Sequence, residues 1–196
     1  MNKSDQTPHS KPILIVISAP SGAGKTTLCS RLLMARSDLK LSISTTTRAP
    51  RGQEQEGVDY HFVSPEKFQS LIQEDRFAEW AKVHDYFYGT SKTTIEDAFR
   101  DHKHVLLDID VQGAASLKRL YQEQCFTVFV SPPSLEVLEK RLRSRGTDSD
   151  EVVAKRMRNA RKEMLAAQSF DKLIINDDLN RAANELLEAV QHRLSK

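Results

Sequence analysis

Cysteine is scarce: Cys29 and Cys125 are the only two in 196 residues, with no C-x-x-C spacing and no histidine set around them. A disulfide scaffold and a cysteine-based zinc site are thereby excluded, and a reducing compartment is the simpler reading. Long apolar runs are missing too. The strongest, residues 13–17, is broken at once by Ser18 and Pro20, too soon for a membrane span or the core of a secretory signal. The expectation is a cytoplasmic protein with no membrane partner. An excess of one charge is also absent: the formal net charge is +2, which argues against nucleic acid as a partner over the whole surface and leaves room for a local basic site. Internal repeats and low-complexity tracts are not found. Gly and Pro number seven each, ordinary for a globular chain. The length suits one core with smaller appendages. Residues 1–10 are polar and read as a flexible tail; the sequence leaves the choice between monomer and homo-oligomer open.

What is present is an alternation. Five short apolar runs rich in β-branched residues, at 13–17, 41–44, 105–107, 126–130 and 173–175, have the length and composition of buried parallel strands. Helical patterns lie between them at 25–35, 65–75, 111–121, 134–144, 150–168 and 181–194. Ser64 followed by Pro65 marks one helix start, and Ser134 after Pro132-Pro133 marks another. The result is a βαβ architecture. Two segments interrupt it: residues 45–90, with alternating pieces such as "DYHFV" and "AEWAKV", read as a small mixed insertion, and residues 134–161 are dense in Lys and Arg.

The first strand runs into "SAPSGAGKTT". A glycine loop between strand and helix that ends G-K-[ST] directs backbone N–H groups at phosphate oxygens, with the helix N-terminus adding partial positive charge. Ala19, Pro20, Ser21, Gly22, Ala23, Gly24, Lys25, Thr26 and Thr27 are therefore candidate ligands of ATP, Lys25 reaching the β and γ phosphates and Thr26 ligating Mg²⁺. The usual pattern opens on Gly where this chain has Ala19; the phosphate wrap depends more on Gly22 and Gly24. In "HVLLDID", Asp108 ends a buried strand, placed to orient a water on Mg²⁺, and Asp110, two residues on, shares its side. This motif specifies a P-loop NTPase-type α/β fold, three-layered, with a parallel five-stranded sheet.

For the acceptor, the informative stretch is "SISTTTRAPRGQEQEGVDYHF". Arg48 and Arg51 flank Ala49-Pro50, where proline restricts the backbone. Two nearby guanidinium forks suit a phosphate monoester, and Tyr60 and Tyr88 offer hydroxyl donors. On the residues alone a solvated basic loop is the alternative, and Glu79 reads as a solvated strand residue beside a core Trp80. Further on, Arg141 and Arg145 are four apart and share a helix face, with Arg156 on the next helix. No aromatic residues interleave with the basic ones here, which argues against single-stranded nucleic acid. His102 and His104 have no further metal ligand in reach.

Taken in order, "SGAGKTT", "SISTTTRAPRGQEQEGVDYHF", "FAEWAKVHDYFYGTS", "LLDIDVQG", "RLRSRG" and "IINDDL" resemble the guanylate kinase family over residues 12–193. The resemblance implies transfer of the γ-phosphoryl group of ATP to GMP, and to dGMP, with Mg²⁺ as cofactor and the two nucleotides as the only partners. It implies GMP contacts from Ser44, Arg48, Arg51, Tyr60, Glu79, Tyr88, Gly89, Thr90, Asp108 and Asp110. Chemistry agrees: guanine presents N1–H and an exocyclic amine side by side for a carboxylate such as Glu79, and O6 for a hydroxyl such as Thr90. Many members carry Ser where this chain has Thr90. It also implies that Lys25, Arg48, Arg141, Arg145 and Arg156 serve catalysis, the last three from a lid over ATP, with Asn176 near the adenine. The expected division is a tail (1–10), a core (11–44, 91–133, 162–196), a GMP-binding insertion (45–90) and a lid (134–161). A related kinase with another acceptor and a non-enzymatic binding module remain as alternatives.

Overall fold

The computed structural model describes residues 11–83, 85–144 and 149–196; the expected tail lies outside the described residues. Uninterrupted apolar runs become central strands because both faces of a parallel sheet are covered. Strands β1 (Leu14–Ser18), β2 (Leu39–Leu41), β7 (His104–Asp108), β8 (Cys125–Ser131) and β9 (Lys172–Ile175) form a parallel sheet in the order β2-β7-β1-β8-β9. Helices α1 (Lys25–Ala35) and α7 (Leu179–Leu194) pack on one face, where Ile15, Ile17, Leu28, Leu32, Leu186 and Val190 are buried together. The opposite face is covered by α3 (Lys92–Arg100) and α4 (Val111–Tyr121), through Ile95, Ala98, Ala114 and Leu117 against Leu14, Val16 and Leu107. These are the three expected layers.

Residues within the expected insertion build a second sheet of four strands, β4-β3-β6-β5, from β3 (Thr45–Thr46), β4 (His61–Phe62), β5 (Phe77–Val83) and β6 (Tyr86–Ser91), with α2 (Pro65–Gln73) packed against it. Phe68 of α2 is its anchor, 4.6 Å from Phe77 and 5.5 Å from Phe87, ring centre to ring centre. Two more helices, α5 (Leu135–Arg143) and α6 (Asp150–Leu165), share a small core of Leu138, Leu142, Val153, Met157 and Ala160. Both start on a serine whose side chain accepts from the backbone three residues on, Ser134 from Val137 and Ser149 from Val152, as N-caps do.

Several boundaries differ from the sequence reading. Strand β2 is Leu39–Leu41, earlier than 41–44: the Ser42 N–H still donates to Leu106 O at 2.9 Å, after which the chain leaves this sheet for β3 in the other. Helix α2 ends two residues early, where Asp75 takes φ 53. The stretch 150–168 divides into α6 and a 3-10 turn at Ala166–Ser169. Helix α7 begins two residues early, because Asp178 caps it by accepting from the Arg181 N–H. Helix α3 was not anticipated; its Ser91 cap makes no side-chain bond, so little marks its start. Among the described residues no helix is long and apolar enough to cross a membrane.

Candidate active site

A cleft of about 570 Å³ opens at the carboxyl ends of the parallel strands, bounded by the β1–α1 loop, the second sheet and α6. Open parallel sheets bind ligands at this end, where strand order reverses. The loop is shaped by Gly22 and Gly24, both at φ +96. A side chain at Gly22 would press on Leu138 and Leu142 of α5, and one at Gly24 would overlap the Asn176 amide. Helix α1 has no side-chain cap at its start, so its first N–H groups stay available to an anion.

Lys25, the first residue of α1, donates to the Asp108 carboxylate at 2.5 Å and to the Ile109 carbonyl at 3.1 Å. Burial by itself would lower its pKa, but the charge and hydrogen bond of Asp108 override that and raise it; Lys25 is held charged. Asp108 ends β7, and Asp110 caps α4 by accepting from the Gly113 N–H at 2.9 Å. Both line the cleft.

The opposite wall is the second sheet. Strand β5 runs against the sequence reading: past a bulge between Phe77 and Glu79, Glu79 faces the cleft with Ala81, at 7% exposure, and Trp80 faces outward at 45%. Trp80 finds cover on the outer face instead, edge-on to Phe87 with ring centres 5.9 Å apart. Glu79 accepts from the Thr90 hydroxyl at 2.5 Å. Burial pushes its carboxyl up to about 7; the Thr90 bond opposes the rise and the Asp110 charge adds to it. A buried carboxylate that faces a cleft and is bonded on the protein side by Thr90 has capacity left for a ligand's N–H groups.

Of the expected residues, Ala19, Pro20, Ser21, Gly22, Gly24, Lys25, Thr26, Thr27, Ser44, Arg51, Tyr60, Glu79, Tyr88, Asp108, Asp110 and Arg156 converge on this cleft. Ala23 is buried behind the loop, and Thr90 lies behind Glu79 next to Gly89. Arg48 is also set back, 6% exposed: its guanidinium donates to both oxygens of Glu54 at 2.9 Å, to Ala49 O at 2.8 Å and to the Tyr88 hydroxyl at 3.2 Å. It also lies 5.2 Å from the Tyr60 ring centre. The Glu54 bonds outweigh the desolvation that opposes them and raise its pKa. Arg141 of α5 donates to the backbone carbonyl of Asn176 at 2.9 Å, and the Asn176 side chain is turned to the loop backbone. Arg145 lies outside the described residues.

Helix α6 adds groups the sequence reading missed. Val152, Lys155 and Glu163 line the cleft beside Arg156; Val152, Arg156 and Glu163 fall on one helical face, a signal already in their spacing. Burial raises the Glu163 carboxyl, Lys25 opposing and Asp110 adding. For a metal, among the described residues no group of three or more His, Cys, Asp or Glu is arranged as a cage. Thr26 and Asp108 are oxygen donors on the same wall of the cleft, which fits Mg²⁺, an ion that keeps most of its ligands as water and phosphate. His104 is occupied otherwise, its Nδ1 accepting from the Ile13 N–H at 3.1 Å.

Comparison with known proteins gives the same direction. The family model described as guanylate kinase matches residues 11–193. A guanylate kinase of Syntrophotalea carbinolica is 52% identical over 88% of this chain and 82% of its own length, and one of Anaeromyxobacter dehalogenans is 50% identical over 92% and 80%. The crystal structure of a guanylate kinase from Anaplasma phagocytophilum superposes with a TM-score of 0.81 at 31% identity, covering 95% of this chain and 88% of that one. A shikimate kinase from Bacteroides thetaiotaomicron, 14% identical at a TM-score of 0.50 over 91% and 98%, shares the fold alone. Identity near one half, sustained over most of both chains, leaves one assignment: this chain belongs to the guanylate kinase family.

Proposed function

We propose that this cleft is where the enzyme transfers the γ-phosphoryl group of ATP to GMP, giving ADP and GDP, with Mg²⁺ as cofactor and dGMP as a second acceptor. The observation that carries the assignment of the site is Glu79: a buried carboxylate, bonded to Thr90, that faces the same cleft as the phosphate loop. Guanine's N1–H and N2 amine satisfy it. Adenine, lacking both donors, leaves its lone pairs unpaired in a desolvated site, a strong basis for rejection. Asp110 and Ser44 complete the base contacts; Arg51, Tyr60 and Tyr88 take the acceptor phosphate, with Arg48 bracing Tyr88 and supplying positive charge from behind. None of these contacts requires a ribose 2′-hydroxyl.

On the donor side the β1–α1 loop wraps the phosphates, and Lys25 turns from Asp108 to the γ-phosphate. Thr26 and Asp108 hold Mg²⁺, which neutralises charge on the donor's phosphates when bound. An acceptor phosphate oxygen is anionic at neutral pH, so no side-chain base is needed; alignment and charge stabilisation make up the catalysis. Residues 134–161 act as a lid, bringing Arg141, Arg145 and Arg156 to the transferring group and excluding water. Residues 45–90 act as the acceptor arm and the rest as the core. Two buried free thiols suit a cytoplasmic enzyme.

The test is ADP formation from MgATP with GMP, dGMP, AMP, CMP, UMP or no acceptor. Turnover confined to the two guanine nucleotides is expected. Faster turnover with another base would remove Glu79, Thr90 and Asp110 from their roles.

A further inference from the structure

Asn176 follows the last strand of the parallel sheet, at 5% exposure. Its backbone N–H donates to Ser131 O at 2.8 Å, fastening it to the end of β8. Its side-chain amide crosses to the phosphate loop and donates to the Ala23 carbonyl at 2.7 Å, a contact between residues 153 apart in the chain. A Cβ on Gly24 would come within 2.3 Å of that same amide nitrogen. The amide thus occupies the space that a side chain on the loop's last glycine would fill. Its backbone carbonyl receives the Arg141 guanidinium from α5.

We propose that Asn176 is a positioning residue for the phosphate loop. Its amide holds the Ala23–Gly24 peptide in the orientation that aims the following N–H groups at the donor's phosphates. The reasoning rests on the reading that this loop holds those phosphates. Ala23 bonds through its own N–H to Pro20 O at 3.0 Å and Gly24 O takes the Leu28 N–H at 3.2 Å, so the Ala23 carbonyl sits between the loop's internal turn and the start of α1. Gly24 at φ +96 has wide conformational freedom of its own; a donor from outside the loop removes that freedom before ligand arrives, which lowers the ordering cost of binding. Any contact between Asn176 and adenine is then additional, since one amide hydrogen is already engaged by the loop.

Inorganic tripolyphosphate separates the two roles because it presents phosphates and no base. Its affinity, with Mg²⁺, would be measured by calorimetry for the parent, Asn176→Ala and Asn176→Asp, with ATP and GMP in parallel. Removing one neutral buried hydrogen bond is expected to weaken tripolyphosphate and ATP alike by about tenfold. Asn176→Asp keeps the size but places an acceptor against the Ala23 carbonyl, and is expected to be weaker still. GMP affinity is expected to hold in both variants. Unchanged tripolyphosphate binding with weakened ATP would overturn the proposal in favour of a base contact. A parallel loss of GMP affinity in both variants would also overturn it, by making Asn176 a general packing residue. Failure of the parent to form ADP with GMP counts against the assigned reaction and not against this role.

Discussion

Replacing Glu79 by Gln should make the ligand-free protein more stable and the enzyme much less active. The glutamine keeps an oxygen for the Thr90 hydroxyl, now 2.5 Å from the carboxylate, and removes the ionisable group. In the parent, the carboxyl is raised from 4.5 to about 7, first of all by burial. At 1.36 kcal/mol per unit, the ionised folded state carries a penalty on the order of 3 kcal/mol. The sign follows from linkage. Below pH 4.5 the group is protonated folded and unfolded, and the substitution changes little. Between 4.5 and 7 only the unfolded chain releases the proton, so the parent loses stability as pH rises. Above 7 the penalty is complete. The gain of Glu79→Gln should therefore be near zero at the acid end, grow through this window and level off above pH 7, where it amounts to roughly 6–12 °C in melting temperature for a chain of this size. Thermal unfolding without nucleotide, from pH 4.5 to 8, measures it. Activity moves the other way: losing the charge opposite two guanine N–H donors should lower kcat/KM for GMP about a hundredfold or more. A variant less stable than the parent at pH 8, or a gain independent of pH, refutes the claim that Glu79 is held in the cleft at a cost the substrate offsets.

The same group predicts that KM for GMP is flat above about pH 7 and rises about tenfold per unit below it, because guanine needs the ionised carboxylate; a flat profile from pH 5.5 to 8 counts against this. Lys25→Ala should cut kcat by about a thousandfold or more while the protein still folds, and retained turnover contradicts its role. Arg48→Ala strips Glu54 of its forked partner and Tyr88 of its donor; it should raise KM for GMP at least about tenfold and cost about 2 kcal/mol in urea unfolding, whereas an unchanged response to GMP removes Arg48 from the site. Both thiols are buried, and burial pushes Cys125 up to about 12 and Cys29 upward as well. Neither should react with a disulfide reagent in the native state within minutes, while both should react in denaturant.

Much of this was legible in sequence because it is local. Runs of β-branched residues made the five parallel strands, the G-K-T ending marked the glycine loop, and Ser64 and Ser134 lie at helix starts that their hydroxyls cap. Boundaries failed where a distant element intervened. Residues 42–44 have strand composition, but the chain must leave β7 there to enter another sheet. Helix α3 carries few signals and forms chiefly because Ile95 and Ala98 have the sheet to cover.

The sharpest separation is at Glu79 and Trp80. Composition places the tryptophan inside and the glutamate outside. Which face of β5 meets the cleft was decided by the pairing with β6 and by the bulge between Phe77 and Glu79, which leaves Phe77 packed on Phe68 of α2 and turns Glu79 with Thr90 to the cleft. Beyond the bulge side chains alternate, so fixing the face of Glu79 fixes those of Trp80 and Ala81. Asn176 is the same case: its neighbours in sequence describe a turn after a strand, and only the folded sheet brings it against Ala23 and Gly24. The sequence by itself determined the chemistry available, a phosphate loop, paired arginines and a set of carboxylates, because those depend on residue type and short spacing. Tertiary structure decided which groups are desolvated, which face the cleft and which are spent on one another, because burial and pairing depend on what long-range packing puts beside each residue.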